Sequence, residues 1–129
     1  MDKKKVLIID DEKELVELLK VELEENQYDV LTAYNGQEGL ERARKEEPDL
    51  LILDLMLPKI DGFKVCSLLK KDARYAKILI LMFTARAHAE DEKLAREVGA
   101  DAYVTKPFDR LPLLEKIQRL LAGRLSEKL

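Results

Sequence analysis

The chain has 129 residues, 47% of them hydrophobic and 38% charged, with a formal net charge of −3 at pH 7. That length suits one domain whose core needs no staple, and the near balance of charge offers no broad basic field to nucleic acid or an anionic membrane. One cysteine, Cys66, excludes an internal disulfide, and without a signal-peptide-like stretch or the ~18 apolar residues of a membrane span a cytoplasmic location is expected.

In chain order, Val6–Ile9 is a short apolar run that predicts a buried first strand. From Glu12 to Glu25, Leu15, Leu18, Leu19 and Leu23 recur at helical spacing among charges, and Asn26-Gln27 closes that helix. Tyr28–Tyr34 reads as a second strand, and Asn35-Gly36 as a turn and helix cap. Gln37–Glu47 is then a second helix with Leu40 and Ala43 inward, stopped by Pro48. Leu50–Leu53 is apolar throughout, as expected of a central strand buried on both faces. A loop punctuated by Pro58 and Gly62 leads into a third helix, Phe63–Lys71. Ile78–Phe83 is a fourth strand and Glu90–Val98 a fourth helix, ended by Gly99; Ala102–Thr105 and Leu111–Leu121 complete the series.

Five strand–helix units with short connections predict an α/β fold, a doubly wound parallel sheet with helices on both faces. One domain is expected over residues 1–122, with 123–129 as a short C-terminal tail. The Glu90–Val98 helix offers only Leu94, Ala95 and Val98 as apolar anchors. It buries little area and is expected to move readily.

Asp10-Asp11, Asp54, Thr84 and Lys106 each stand where an apolar run stops. In a parallel sheet all of them gather at the carboxyl edge, where open α/β sheets bind ligands. Clustered carboxylates repel and raise one another's pKa; a hard divalent cation such as Mg²⁺ relieves this. Asp54 ends the most buried strand, which suits a nucleophile forming an acyl phosphate. Thr84 can donate a hydrogen bond to the transferred group and Lys106 can neutralise it. Each residue alone has a plainer explanation, the Asp10–Glu12 run as a helix cap above all. Their joint arrival at one edge favours a site.

These residues, with the Leu-Ile-Leu-Asp-Leu-Met-Leu-Pro stretch around Asp54, Asp61-Gly62, Thr84-Ala85 and the Gly99–Phe108 run, resemble the bacterial response-regulator receiver domain, of the chemotaxis-regulator type. The resemblance covers Lys4 to about Leu121. It implies a flavodoxin-like five-stranded sheet in the order 2-1-3-4-5 with five helices. Asp54 would accept a phosphoryl group from a sensor histidine kinase or a histidine phosphotransfer protein. Asp11, Asp54 and the backbone carbonyl of Met56 would ligate Mg²⁺, with Asp10 acting mainly through a bound water. Thr84 and Lys106 would close on the phosphoryl oxygens, with a cis Lys106–Pro107 peptide aiming the lysine. Tyr103 would turn inward as the switch aromatic. The Glu90–Val98 helix, the last strand and the last helix would then change as a surface for a downstream protein target.

Met56 and Arg86, two residues beyond Asp54 and Thr84, stand where the family tunes hydrolysis of the acyl phosphate. Met56 holds no attacking water, so a long-lived phosphoryl group is expected. Ala102 and Pro112 replace acidic residues that transcription-factor receivers use to dimerise. A stand-alone switch with no direct nucleic-acid or membrane partner is therefore expected, not an enzyme beyond its own phosphorylation and slow dephosphorylation. The alternatives are a receiver excised from a longer DNA-binding regulator and a non-phosphorylated binding module. A haloacid-dehalogenase-type phosphatase would need a second acid where Met56 stands, and in a flavodoxin-like electron carrier Asp10-Asp11-Glu12 would repel the cofactor phosphate. Cys66, Phe63 and Phe108 read as packing residues, and His88 as solvated.

Overall fold

The computed structural model describes residues 3–128. Strands and helices alternate: β1 (Lys5–Ile9), α1 (Lys13–Glu25), β2 (Asp29–Ala33), α2 (Gly36–Glu46), β3 (Leu50–Leu53), α3 (Gly62–Lys70), β4 (Leu79–Thr84), α4 (Ala89–Glu97), β5 (Ala102–Thr105) and α5 (Arg110–Lys128). All strand pairs are parallel, in the order β2-β1-β3-β4-β5. The parallel α/β sheet is the one the residue pattern predicts, and its strand order is the flavodoxin-like one that the resemblance implies.

The strand sequences explain the layering. Side chains alternate faces along a strand, and β1, β3 and β4 are apolar at both parities, so they are buried on both sides. Leu7, Ile9, Leu51, Leu53, Ile80 and Met82 pack with Leu40, Ala43, Val65, Cys66, Leu69 and Ala95, which puts α2, α3 and α4 on one face. Val6, Ile8, Leu50, Ile52, Leu81 and Phe83 pack with Val16, Leu19, Leu23, Leu113, Leu114 and Ile117, which puts α1 and α5 on the other. Along α1 the inward stripe is Val16, Leu19 and Leu23. Leu18, expected to face inward, is 55% exposed, because Val16 takes the place beside Leu19 and turns the stripe away from it. The last helix runs on through Lys128 rather than ending at Leu121.

The caps are local and readable. Asn35 accepts from Glu38 N at 2.8 Å, while Glu38 Oε1 accepts from Tyr34 N at 2.6 Å. Asp61 caps α3 by accepting from Lys64 N at 2.9 Å. These satisfy donors that a helix start leaves open.

At the amino end of the sheet, Lys70 gathers three elements. Its Nζ donates to the carbonyls of Ala76 (3.1 Å) and Ile78 (2.7 Å) and pairs with Asp101 at 3.0 Å. Asp101 Oδ2 also accepts from Ile80 N at 2.8 Å. Gly99, at φ 102°, leaves room for the Lys70 stem, and Cys66 Sγ donates to the Val98 carbonyl at 3.4 Å. The chain just after α4 is thereby fixed to α3 and β4.

Gly62 opens α3 directly behind the β3 end: a Cβ there would overlap the Asp54 carbonyl and stand 2.7 Å from Leu55 Cα. Backbone cannot step aside as a side-chain tip can. Gly62→Ala is therefore expected to lower the unfolding free energy by about 1–3 kcal/mol in urea titrations. An unchanged midpoint would mean that the β3–α3 turn yields freely.

Candidate functional site

Register builds the site. Ile9 pairs with Leu53, so Asp10 and Asp54 follow side by side, and Asp54 N donates to the Ile9 carbonyl at 3.1 Å. Thr84 pairs with Thr105, and the next residue, Lys106, donates its backbone N–H to the Thr84 carbonyl at 2.8 Å. The Lys106–Pro107 peptide is cis. Asp10, Asp54, Thr84 and Asp91 are the buried polar residues among those described, and three of the four lie at this edge.

Lys106 sits at the centre. Its Nζ is 2.8 Å from Asp10 Oδ2, 2.9 Å from Glu12 Oε1 and 3.2 Å from Asp54 Oδ2, and it lies 5.7 Å from the centre of the Phe83 ring. Burial pulls the ammonium pKa down, but hydrogen bonds to Asp10 and Glu12 and the charge of Asp54 outweigh it and raise the pKa. Asp10 is pushed up from 3.8, chiefly by burial, against the opposing bonds from Lys106 and Glu12 N.

Glu12 is the residue that sequence reasoning left out of the site. It occupies the N-cap position of α1 yet makes no side-chain cap bond; Asp10 Oδ1 accepts from Glu12 N at 2.9 Å, and the Glu12 carboxylate turns to Lys106 instead. The cap explanation for this acidic run thus gives way to an ion cluster. Its one sequence signal was a third acid before a helix, with nothing to mark a partner 94 residues away.

Carboxylate oxygens of Asp10, Glu12 and Asp54 lie within 4.8 Å of one another. An all-oxygen, anionic donor set of this kind suits a hard cation such as Mg²⁺, and here the Lys106 ammonium bridges it. Asp11 and Met56, two of the predicted ligands, are exposed and line an adjoining depression with Asp61 and Arg86. Met56 N donates to Asp54 Oδ1 at 3.3 Å.

The β4–α4 loop closes the far side. Thr84 is fully buried, and its Oγ1 accepts from Arg86 N at 3.4 Å. Tyr103 Oη donates to the Arg86 carbonyl at 2.6 Å, and burial raises the phenol pKa. The Arg86 guanidinium pairs with Asp91 of α4 at 3.0 Å. Burial pushes the Cys66 thiol up to about 12, in keeping with a packing role, and His88 is exposed.

A family model described as the response regulator receiver domain matches residues 6–118. The chain is 45% identical over 120 residues to the alkaline phosphatase synthesis transcriptional regulatory protein PhoP of Bacillus subtilis, covering 92% of this chain and 48% of that protein. It is 44% identical over 117 residues to the DNA-binding dual master transcriptional regulator RpaA of Synechocystis, covering 91% of this chain and 48% of that one. The chain thus spans about half the length of the curated relatives it matches. A CheY-like response regulator receiver domain protein from Methanospirillum hungatei superposes with a TM-score of 0.92 at 31% identity, over 98% of this chain and 99% of that one.

Burial makes the charged form of Asp10 the costlier one in the folded state. Stability therefore falls as pH rises through the raised pKa of this group. Asp10→Asn removes that penalty. With a chelator present, its melting temperature at pH 7 is expected to exceed the parent's, and the gap to close below pH 3.8, the ordinary value of the group. A lower melting temperature at pH 7 would mean that Lys106 needs the Asp10 charge more than burial opposes it.

Proposed function

The chain belongs to the response-regulator receiver domain family, and on that premise we propose that it is a phospho-acceptor switch of a two-component relay. Asp54 takes a phosphoryl group from a phosphohistidine on a sensor kinase or phosphotransfer protein. The observation that carries this is the Asp54 carboxylate: 5% exposed, rigid at the end of β3, and 3.2 Å from the Lys106 ammonium.

In the transfer, a bond forms between an Asp54 oxygen and phosphorus. The P–N bond of the donor breaks, and its electron pair stays with the imidazole. Lys106 holds positive charge where the phosphoryl oxygens arrive, and the Thr84 hydroxyl turns to donate to one of them. Asp10, Asp11, Asp54 and the Met56 carbonyl would hold Mg²⁺, consistent with their hard oxygen donors. Bound Mg²⁺ supplies charge neutralisation for the incoming phosphoryl group. Positioning and charge make up most of the chemistry here, so the chain catalyses nothing beyond its own phosphorylation and slow dephosphorylation.

A phosphoryl group adds roughly two negative charges. Lys106 and Thr84 shift toward it, the β4–α4 loop follows Thr84, and Tyr103 and α4 move with that loop. The α4–β5–α5 surface then meets a downstream protein. The kinase meets the first and last helices, where Leu18 (55% exposed) lines a depression with Lys106 and Phe108, and where Val21 and Leu111 are also exposed. The receiver would span residues 1–122, in a cytoplasmic protein, with the described part of 123–129 continuing α5 as helix. Among the described residues no helix is long and apolar enough to cross a membrane.

A second reading rests on the relatives. Both are named as transcriptional regulators and are about twice as long, which supports a receiver that works joined to a DNA-binding segment. The relay chemistry at Asp54 is the same in either case.

Intact-mass measurement after incubation with acetyl phosphate and Mg²⁺ tests the proposal. One added phosphoryl group on the parent, and none on Asp54→Asn, is the expected result. No Mg²⁺-dependent gain would make the chain a binding module. On the loaded protein, Met56→Asn offers an attacking water a hydrogen bond, and its phosphoryl group is expected to decay severalfold faster. Equal decay would take Met56 out of the account.

A further inference from the structure

Of the buried polar residues among those described, only Asp91 stands outside the cluster at the sheet edge. It lies in the first turn of α4 between Glu90 and Glu92. A favourable helix dipole explains acids there, but not why this one is 8% exposed. A buried carboxylate needs a cation, and Asp91 Oδ2 accepts from Arg86 Nε at 3.0 Å.

Arg86 is unusually well connected. Its N–H donates to Thr84 Oγ1, its carbonyl accepts from Tyr103 Oη, and its side chain walls the depression that holds Asp11 and Met56. An unpaired guanidinium at that mouth would attract any phosphoryl donor, because arginine binds such anions well. The Asp91 charge already occupies it.

Resting on the acceptor reading above, we propose that Asp91 is a positioning residue that holds Arg86 away from the incoming phosphoryl group, so that α4 must surrender Arg86 before the arginine can pair with it. Surrender leaves a buried carboxylate without its cation. The first turn of α4 relieves this by carrying Asp91 out to water. Little else resists, since Ala95 is the one other buried side chain among those described on this helix. The ion pair thus joins occupancy of the site to the position of α4.

The test is the rate of loading by acetyl phosphate with Mg²⁺, as a function of its concentration, in the parent, Asp91→Asn, Arg86→Gln and the double variant. Freed from its partner, Arg86 draws in the anionic donor. Asp91→Asn is expected to lower the half-saturating concentration about threefold to tenfold with little change in maximal rate. In the Arg86→Gln background the same substitution is expected to do almost nothing. Asp91→Glu in the otherwise unchanged protein is expected to keep the parent's half-saturation. An equal fall in both backgrounds, or none in either, overturns the proposal, since a plain loss of negative charge does not need Arg86. Failure of the parent to load at all overturns the acceptor reading itself, and this proposal with it.

Discussion

A single ammonium group holds this domain's working edge together. Two neighbouring strands, β1 and β3, end beside three carboxylates that meet in one small space, and water is largely excluded from two of them. Without a cation there, Asp10 and Asp54 would repel at short range in a poorly solvated environment. Lys106 answers that constraint from the far edge strand. Its position depends on β5 joining the sheet beside β4, and on the turn that follows. The core layers on either face bring those strand ends to a common rim.

The same ammonium sets the terms on which the site changes. Any phosphoryl oxygen that takes Lys106 must compete with three carboxylates already bound to it. Glu12, the most exposed of the three, is the one held most weakly by its surroundings. Its release also frees a side chain at the start of α1, where no side-chain cap bond is made. On the proposed reading, a phosphoryl group on Asp54 would therefore be felt at α1 as well as along the β4–α4 loop.

The fold was largely legible because its strands are short, apolar at both parities and separated by clear punctuation. Asn35, Asp61 and Gly99 act locally, so their roles show in a few residues of sequence. The gathering of Asp10, Asp54, Thr84 and Lys106 at one sheet edge was legible for a related reason: each of them stands where an apolar run stops. What could not be read were contacts between distant residues whose own neighbourhoods look ordinary. Glu12 resembles a helix cap until Lys106 is brought to it. Asp91 sits in an Ala-Glu-Asp-Glu stretch that reads as a solvated first turn, and its burial depends on how α4 lies against β5. Leu18 was misplaced because a four-leucine pattern hid the better stripe through Val16. The last helix outran its expected end because Gly123 is tolerated within a helix when nothing after it demands a turn.

The Lys70 junction gives α4 a fulcrum. Its trailing end is tied through Gly99 and Asp101 to α3 and β4, while its leading end is held mainly by one arginine. A helix of nine residues is about 13 Å long, so a tilt of ~10° about the tied end sweeps the leading end by ~2 Å. That stroke is enough to part a hydrogen bond at one end while leaving the other unmoved. A small displacement at this rim would thereby reach along one helix as graded leverage, with the sheet beneath it undisturbed.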